Sequence, residues 1–339
     1  METQEKTAPP DALTFLGRLT ARDRIVLACT GLMLVYFFFI RVYYPGLSGI
    51  GYSVFGWLWH AWNTDPDSQH GMFVPLIAAG FLWWKKDAIF AETPTGQPLF
   101  LPLIFLGCLG YILGLGGGLK FLAPLSFVLL LAGTIGFVGG TRIFKLVLFP
   151  LAFLLFMIPW SLIDNGILTF ELRLMMTKMV VPLLNLIGVE TIRVGTALKS
   201  AAVPMAGLPV GAKFALEVDG PCSGIRSLFA LCMITAIYSY LTMPTLAKKW
   251  ILFLTAVPVA VIGNMVRIMM LTVGTYLFGV EWAVGVGDKI SFFHSFSGFM
   301  VYISALLILM GLGAVIDLDF AAWLRKMSPS RTQPKAPAP

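Results

Sequence analysis

An all-α polytopic integral membrane protein of about eight transmembrane helices is the fold this sequence predicts, with both termini cytoplasmic. Three observations predict it. Hydrophobic residues make up 58% of the 339-residue chain and charged residues 12%, where soluble domains carry about 25% charged residues. Apolar runs of bilayer-crossing length recur from residue 25 to residue 316. Every second connection between those runs carries a basic cluster.

The runs, in order, are 25–43, 71–84, 99–116, 120–140, 144–163, 222–241, 250–278 and 294–316. The second is short, and prolines in LFPLAFLLFMIPW predict kinks in the fifth. Arg18, Arg22 and Arg24 precede the first run, and Lys85 and Lys86 follow the second. Arg142 and Lys145 separate the fourth and fifth, and Lys248 and Lys249 the sixth and seventh. Arg325, Lys326, Arg331 and Lys335 follow the last. Cationic connections stay on the cytoplasmic side, so the alternation supports both the count and the orientation. The apolar run after the polar N-terminus has no small-residue cleavage site and reads as an uncleaved first span.

The remaining connections face outward. Residues 46–70, rich in Trp and Tyr, predict an interfacial helix with an aromatic belt. The largest outer connection runs from about residue 164 to 221, too charged through Arg173 and Lys178 to span comfortably. Its first half predicts a helix lying on the membrane or packed on the bundle, and its Gly-, Val- and Thr-rich second half a short β-hairpin. The domain reading is a cytoplasmic tail (1–24), a single transmembrane domain (25–316) and a C-terminal cytoplasmic tail (317–339), mostly disordered, with no internal repeat and no separate soluble domain.

The formal net charge is +7. The cations lie in short clusters between apolar runs, so anionic lipid headgroups are the expected counterions. No basic patch with interleaved aromatics points to nucleic acid. The four cysteines, Cys29, Cys108, Cys222 and Cys232, form no CxxC and no Cys/His cluster of zinc spacing. No metal and no cofactor is expected. Cys29, Cys108 and Cys232 lie inside apolar runs and are expected as small buried hydrophobes. Cys222 and Cys232 would stand roughly 15 Å apart along a helix, too far for a disulfide.

The chemistry gathers on VDGPCSGIRS, residues 218–227. Asp219 can N-cap the sixth span, and Pro221 suits its first turn. A thiol at Cys222 would feel the positive end of the helix dipole and favour the thiolate. Arg226, four residues on, pushes the same way, and Asp219 opposes it. Arg267, inside the seventh span, is about 27 Å along the helix from Lys249, near the outer end. His294 opens the eighth span on that side.

Read singly, each has a plain structural role: a packing cysteine, an arginine snorkelling to headgroups, a polar boundary histidine. Read together, they supply a nucleophile, an oxyanion-stabilising cation and a general base on one membrane face. That is the set a cysteine acyl-transfer enzyme needs. His70, Asn264, Asp219, Arg226 and Ser223 form a second rank. Asn264 lies three residues before Arg267 and can orient it, while Glu217 and Asp219 can hold His294 or Arg267.

These motifs carry a resemblance. PCSGIRSL (221–228), NMVRI (264–268), His294 followed by Gly298, and HGMFVP (70–75) together resemble the exosortase/archaeosortase family of polytopic membrane cysteine transpeptidases. The likeness covers roughly residues 50–316, and Pro221 departs from the alanine common there. It implies a Cys222/Arg267/His294 triad in a multi-pass bacterial inner (cytoplasmic) membrane protein, with the active site on the periplasmic or external face. It implies membrane-anchored protein substrates ending in a PEP-CTERM-like signal: a short motif, one transmembrane helix and a basic cluster. Cleavage at the motif would give a thioester, passed to an acceptor nucleophile such as a surface lipid or polysaccharide. Two other readings compete: a non-catalytic polytopic component of surface polysaccharide export or assembly, and a transporter, which the lack of a repeat disfavours. A metalloprotease is disfavoured, since the three histidines form no HExxH pair.

Overall fold

The computed structural model describes residues 12–44, 51–160, 167–217, 225–286 and 289–318. The chain opens with α1 (Ala12–Arg18) and α2 (Ala21–Leu34). A capping box fixes the start of α2: the Thr20 hydroxyl accepts the Asp23 N–H, and the Asp23 carboxylate accepts the Thr20 N–H. The helix continues as a π-helical segment, Val35–Ile40. α3 (Val54–Thr64) is capped by Ser53 and buries Val54, Trp57, Leu58, Ala61 and Trp62. That i, i+3, i+4, i+7, i+8 spacing makes one apolar face, so the segment expected at the interface packs into the bundle along that stripe.

A 3₁₀ turn, Gln69–Met72, leads into α4 (Val74–Trp84), followed by α5 (Lys86–Ala91). α6 (Leu101–Gly117) ends on Gly118, whose φ of 65° supplies a left-handed C-cap. α7 (Leu122–Phe153) runs on through a 3₁₀ turn to Met157. Its 32 residues would be about 48 Å long if straight, against a hydrocarbon core of about 30 Å. It is not straight, because Gly140 has φ 77° and ψ −178°. The carbonyls this break exposes find donors: Gln97 N–H bonds Phe137 O at 3.0 Å and Thr95 N–H bonds Gly139 O at 3.4 Å.

α6 packs antiparallel on the first part of α7 along a glycine seam. Gly107 faces Leu130, Gly110 faces Ser126, Gly114 faces Leu122, Gly133 faces Ile104 and Gly136 faces Phe100. Without apolar driving force between helices in lipid, close approach through small residues supplies the contact.

α8 (Ile167–Leu186) leads to a three-stranded antiparallel sheet in the order β1 (Thr191–Val194), β2 (Ala197–Ser200), β3 (Ala215–Glu217). β1 and β2 are the expected hairpin, turning at Gly195 with φ 63°. β3 adds a strand that the sequence reading lacked. Met176, Val180 and Leu184 of α8 join Leu198, Phe214 and Leu216 of the sheet region and Met265, Ile268 and Leu271 of the seventh span in one core. α8 is therefore packed on the bundle.

α9 (Ile225–Thr242) and α10 (Leu246–Phe278) follow, then α11 (Val280–Ala283), a small hairpin β4–β5 (Gly285–Val286, Lys289–Ile290), and α12 (Phe292–Asp317). Among the described residues five helical stretches are long and apolar enough to cross a membrane: Ala21–Ile40, Pro98–Gly117, Leu122–Met157, Leu246–Phe278 and Phe292–Asp317. The expected fourth and fifth spans are the two arms of the helix broken at Gly140, and the expected second is the 11-residue α4. In the described residues α9 is an 18-residue helix.

The cations predicted for separate connections meet at one end of the bundle. Arg18 donates to Phe90 O, Arg22 sits over the Phe137 ring, and Arg142 approaches Glu92 at 3.8 Å. Lys85 and Lys249 both lie over Tyr240, and Lys248 pairs with Asp317 at 3.2 Å. One expectation is corrected: Cys29 and Cys108 are exposed and only Cys232 is buried among the described cysteines. Apolar sequence context does not distinguish a lipid-facing side from a core-facing one, because both are hydrophobic.

Candidate active site

At the other end of the bundle α10 and α12 cross closely. A Cβ on Gly263 would meet Val301 at 3.0 Å. One turn of α10 further on, a Cβ on Gly298 would meet Cζ and Nη2 of Arg267 at 3.1 Å. The guanidinium therefore lies against bare backbone of α12, where a side chain would displace it. His294 is one helical turn before Gly298, on the same face.

The start of α12 holds His294 in place. Ser291 is the N-cap: its hydroxyl accepts the His294 N–H at 3.0 Å and donates to Ala283 O at 2.9 Å. Ser297 donates back to His294 O at 2.9 Å. The residue is 7% exposed, and its Nδ1 is buried with no hydrogen-bond partner among the described residues. A buried imidazole nitrogen with an open lone pair or proton is unusual and is what a proton-transfer group needs before its substrate arrives.

Asn264 lies one turn before Arg267 and is 3% exposed. Its Nδ2 donates to Met176 Sδ at 2.9 Å, tying α10 to α8. The expected second-rank place of Asn264 beside Arg267 thus includes a tie to a third helix.

A second cluster forms where the loop before α4 meets α9. Trp62 donates its indole N–H to Met157 O at 2.9 Å. Gly71 lies under that indole: a Cβ there would collide with Trp62 and reach Met157 O at 3.0 Å. This gives the glycine of HGMFVP a steric cause. Within the loop, Asp65 accepts from Asp67 N at 3.1 Å and from Ser68 Oγ at 2.5 Å. The loop then reaches α9 twice. Asp67 Oδ1 accepts from Arg226 Nε at 3.2 Å, and the His70 ring stacks on Phe229 with centroids 5.9 Å apart. Burial pushes the His70 pKa below its ordinary value, and its bond to the Asp67 backbone and the charges of Asp65 and Asp67 oppose the shift.

The structure thus brings Arg267 to the His294 face of α12, and stacks His70 against α9 one turn from Arg226. Glu217 ends β3 on an exposed position. Asp219, Cys222 and Ser223 lie outside the described residues, in the stretch that joins β3 to α9. Two residues escaped the sequence reading. Asp67 was missed although DPDSQH places two carboxylates just before His70, because its partner is 159 residues away. Trp62 was missed because aromatic residues at a membrane interface are ordinary.

The sequence model of the Transmembrane exosortase (Exosortase_EpsH) family matches residues 62–311. The matched stretch begins at Trp62, takes in the loop that grips α9, and ends inside α12. No curated protein and no solved structure matches the chain. With the match running from the Trp62 anchor through Arg267 to His294 and beyond, the chain belongs to the transmembrane exosortase family.

Proposed function

We propose that the protein is a membrane-embedded cysteine transpeptidase with Cys222 as nucleophile, Arg267 as oxyanion stabiliser and His294 as proton carrier. The observation that carries this reading is the seating of Arg267 on Gly298, one turn from a buried His294 whose Nδ1 is open among the described residues. Cys222 is three residues from Ile225, and three trans peptide units span at most about 11 Å. That bound limits how far its Cα can stand from the described start of α9.

In the first half-reaction the Cys222 thiolate attacks the scissile carbonyl carbon. The oxyanion of the tetrahedral intermediate draws on the Arg267 guanidinium, and such a donor is worth about 10²–10³ in rate. Collapse breaks the C–N bond, and the leaving amine takes its proton from the His294 imidazolium. In the second half-reaction His294 accepts a proton from the acceptor nucleophile, which attacks the thioester and releases the thiolate. The substrate is an exported protein held by one C-terminal transmembrane helix behind a PEP-CTERM-like motif, with a basic cluster after it. Docking that helix beside the bundle replaces a bimolecular encounter with a local one. The end that gathers Arg18, Lys85, Arg142, Lys248 and Lys249 faces the cytoplasm. The site then faces outward from a bacterial inner membrane.

The test is processing of a tagged reporter ending in a Pro-Glu-Pro-type motif, one transmembrane helix and a basic tail, read by mass in cells containing this protein. Wild type and Cys29→Ala should both process it, and Cys222→Ala at equal abundance should not. Processing by Cys222→Ala at the wild-type rate removes the thiol from the mechanism and returns weight to a non-catalytic role in polysaccharide export.

A further inference from the structure

The loop 65–72 is anchored at one side by Trp62 on Met157 O and at the other by two contacts to α9. Arg226 and Phe229 are three residues apart, on one face of the first described turn of α9. The loop therefore grips the helix just after the segment that carries Cys222.

The ion pair has two possible uses, and its surroundings decide between them. Global stabilisation is the weaker one. The side chains are 45% and 19% exposed, and pairs this open contribute little. Activation of the thiol by the Arg226 charge is also weak, because the Asp67 carboxylate 3.2 Å from Nε offsets that charge. What remains is geometry: a charged tether fixing where α9 begins.

We propose that Asp67 is a positioning residue for the nucleophile, its carboxylate holding Arg226 at the start of α9, four residues after Cys222 in the sequence. This rests on the proposed function of Cys222. The bond is formed by a carboxylate and a guanidinium with a defined direction, so a neutral isostere removes its charge assistance while leaving the loop's volume unchanged.

The experiment uses the full chain in membranes, with the exposed Cys29 and Cys108 replaced by alanine so that labelling reports on Cys222, and a Cys222→Ala sample as blank. Reporter processing and the rate of iodoacetamide alkylation across a pH series are measured for Asp67→Asn, Arg226→Asp and the exchanged pair Asp67→Arg/Arg226→Asp. The tether predicts that Asp67→Asn lowers processing about two- to five-fold at unchanged abundance, the size expected of so open a pair. It also predicts an alkylation midpoint that stays or moves to lower pH, since the Arg226 charge is no longer offset. The exchanged pair should process several-fold faster than either single variant. Processing by Asp67→Asn at or above the wild-type rate overturns the proposal, because a freed Arg226 would then be helping the thiol. An exchanged pair no better than the poorer single variant overturns it as well. If wild type processes no reporter, the transpeptidase reading fails separately. Alkylation above the midpoint then decides the tether alone: a several-fold difference between wild type and Asp67→Asn, reversed in the exchanged pair, supports it, and equal rates overturn it.

Discussion

The two ends of the bundle hold the same kinds of cation and use them differently. At one end Arg18, Arg22, Arg142 and Lys86 each meet a carbonyl, a ring face or a carboxylate. These contacts are scattered, and Arg142 keeps 77% of its side chain exposed. Such residues report orientation and snorkel to headgroups. At the other end Arg267 rests on a glycine of the neighbouring helix, one turn from a buried histidine. On the proposed function, an arginine near a membrane face carries chemistry where helices are shaped around it and marks topology where it merely ends one.

The sharpest way to break the comparison is to fill the space at Gly298. Gly298→Val puts atoms where the guanidinium lies and should lower reporter processing about a hundred-fold, the cost of roughly an ångström of misplacement. Gly311→Val on the same helix has nothing within 4 Å of its added Cβ and should process like wild type. Arg267→Lys keeps the charge and loses the planar fork, with an expected loss of about 10²–10³. Arg142→Lys at the other end should change nothing measurable. Equal tolerance of Gly298→Val and Gly311→Val would remove the distinction between the two ends.

A smaller effect separates architecture from chemistry. At Gly133 a Cβ would meet the backbone N of Ile104 at 2.8 Å, and backbone cannot turn away as a side chain can. Gly133→Val should destabilise the α6–α7 seam by about 1–3 kcal/mol. Abundance and thermal stability in detergent should fall, while processing per surviving molecule stays near wild type. Gly80→Val, with nothing within 4 Å, is the matched control. A fall in processing per molecule for Gly133→Val would tie the seam to the site.

Much of this was legible in the sequence, for identifiable reasons. Spans at 99–116, 250–278 and 294–316 follow from hydropathy alone, because the bilayer imposes their length. The order of Arg267, His294 and His70 along motifs was legible too. The break at Gly140 was not: Arg142 and Lys145 mark a connection, but only φ of 77° shows that the turn takes no loop. β3 escaped because a three-residue strand has too little alternation to see. The exposure of Cys29 and Cys108 escaped because lipid and core select the same side chains. Asp67 escaped because no periodicity links residues 159 apart. Its opposite charge to Arg226 was the one available signal.

The smallest expected effect is a pH dependence at the loop. His70 lies outside the spans, and burial holds its folded pKa below the ordinary value of about 6.5. The groups facing it are the carboxylates of Asp65 and Asp67 and, through Asp67, Arg226. Since the docked ring prefers to be neutral, the undocked loop binds the extra proton. Docking is therefore at full strength above about pH 6.5 and weakens as pH falls from there toward the depressed folded value, by at most about 1.4 kcal/mol per pH unit. Amide hydrogen exchange of Gly71 and Phe73, whose N–H groups bond Ser68 O and His70 O, should accelerate at acid pH beyond the intrinsic chemical rate. His70→Gln should flatten that excess. An excess unchanged in His70→Gln would remove the His70 ring from the acid response.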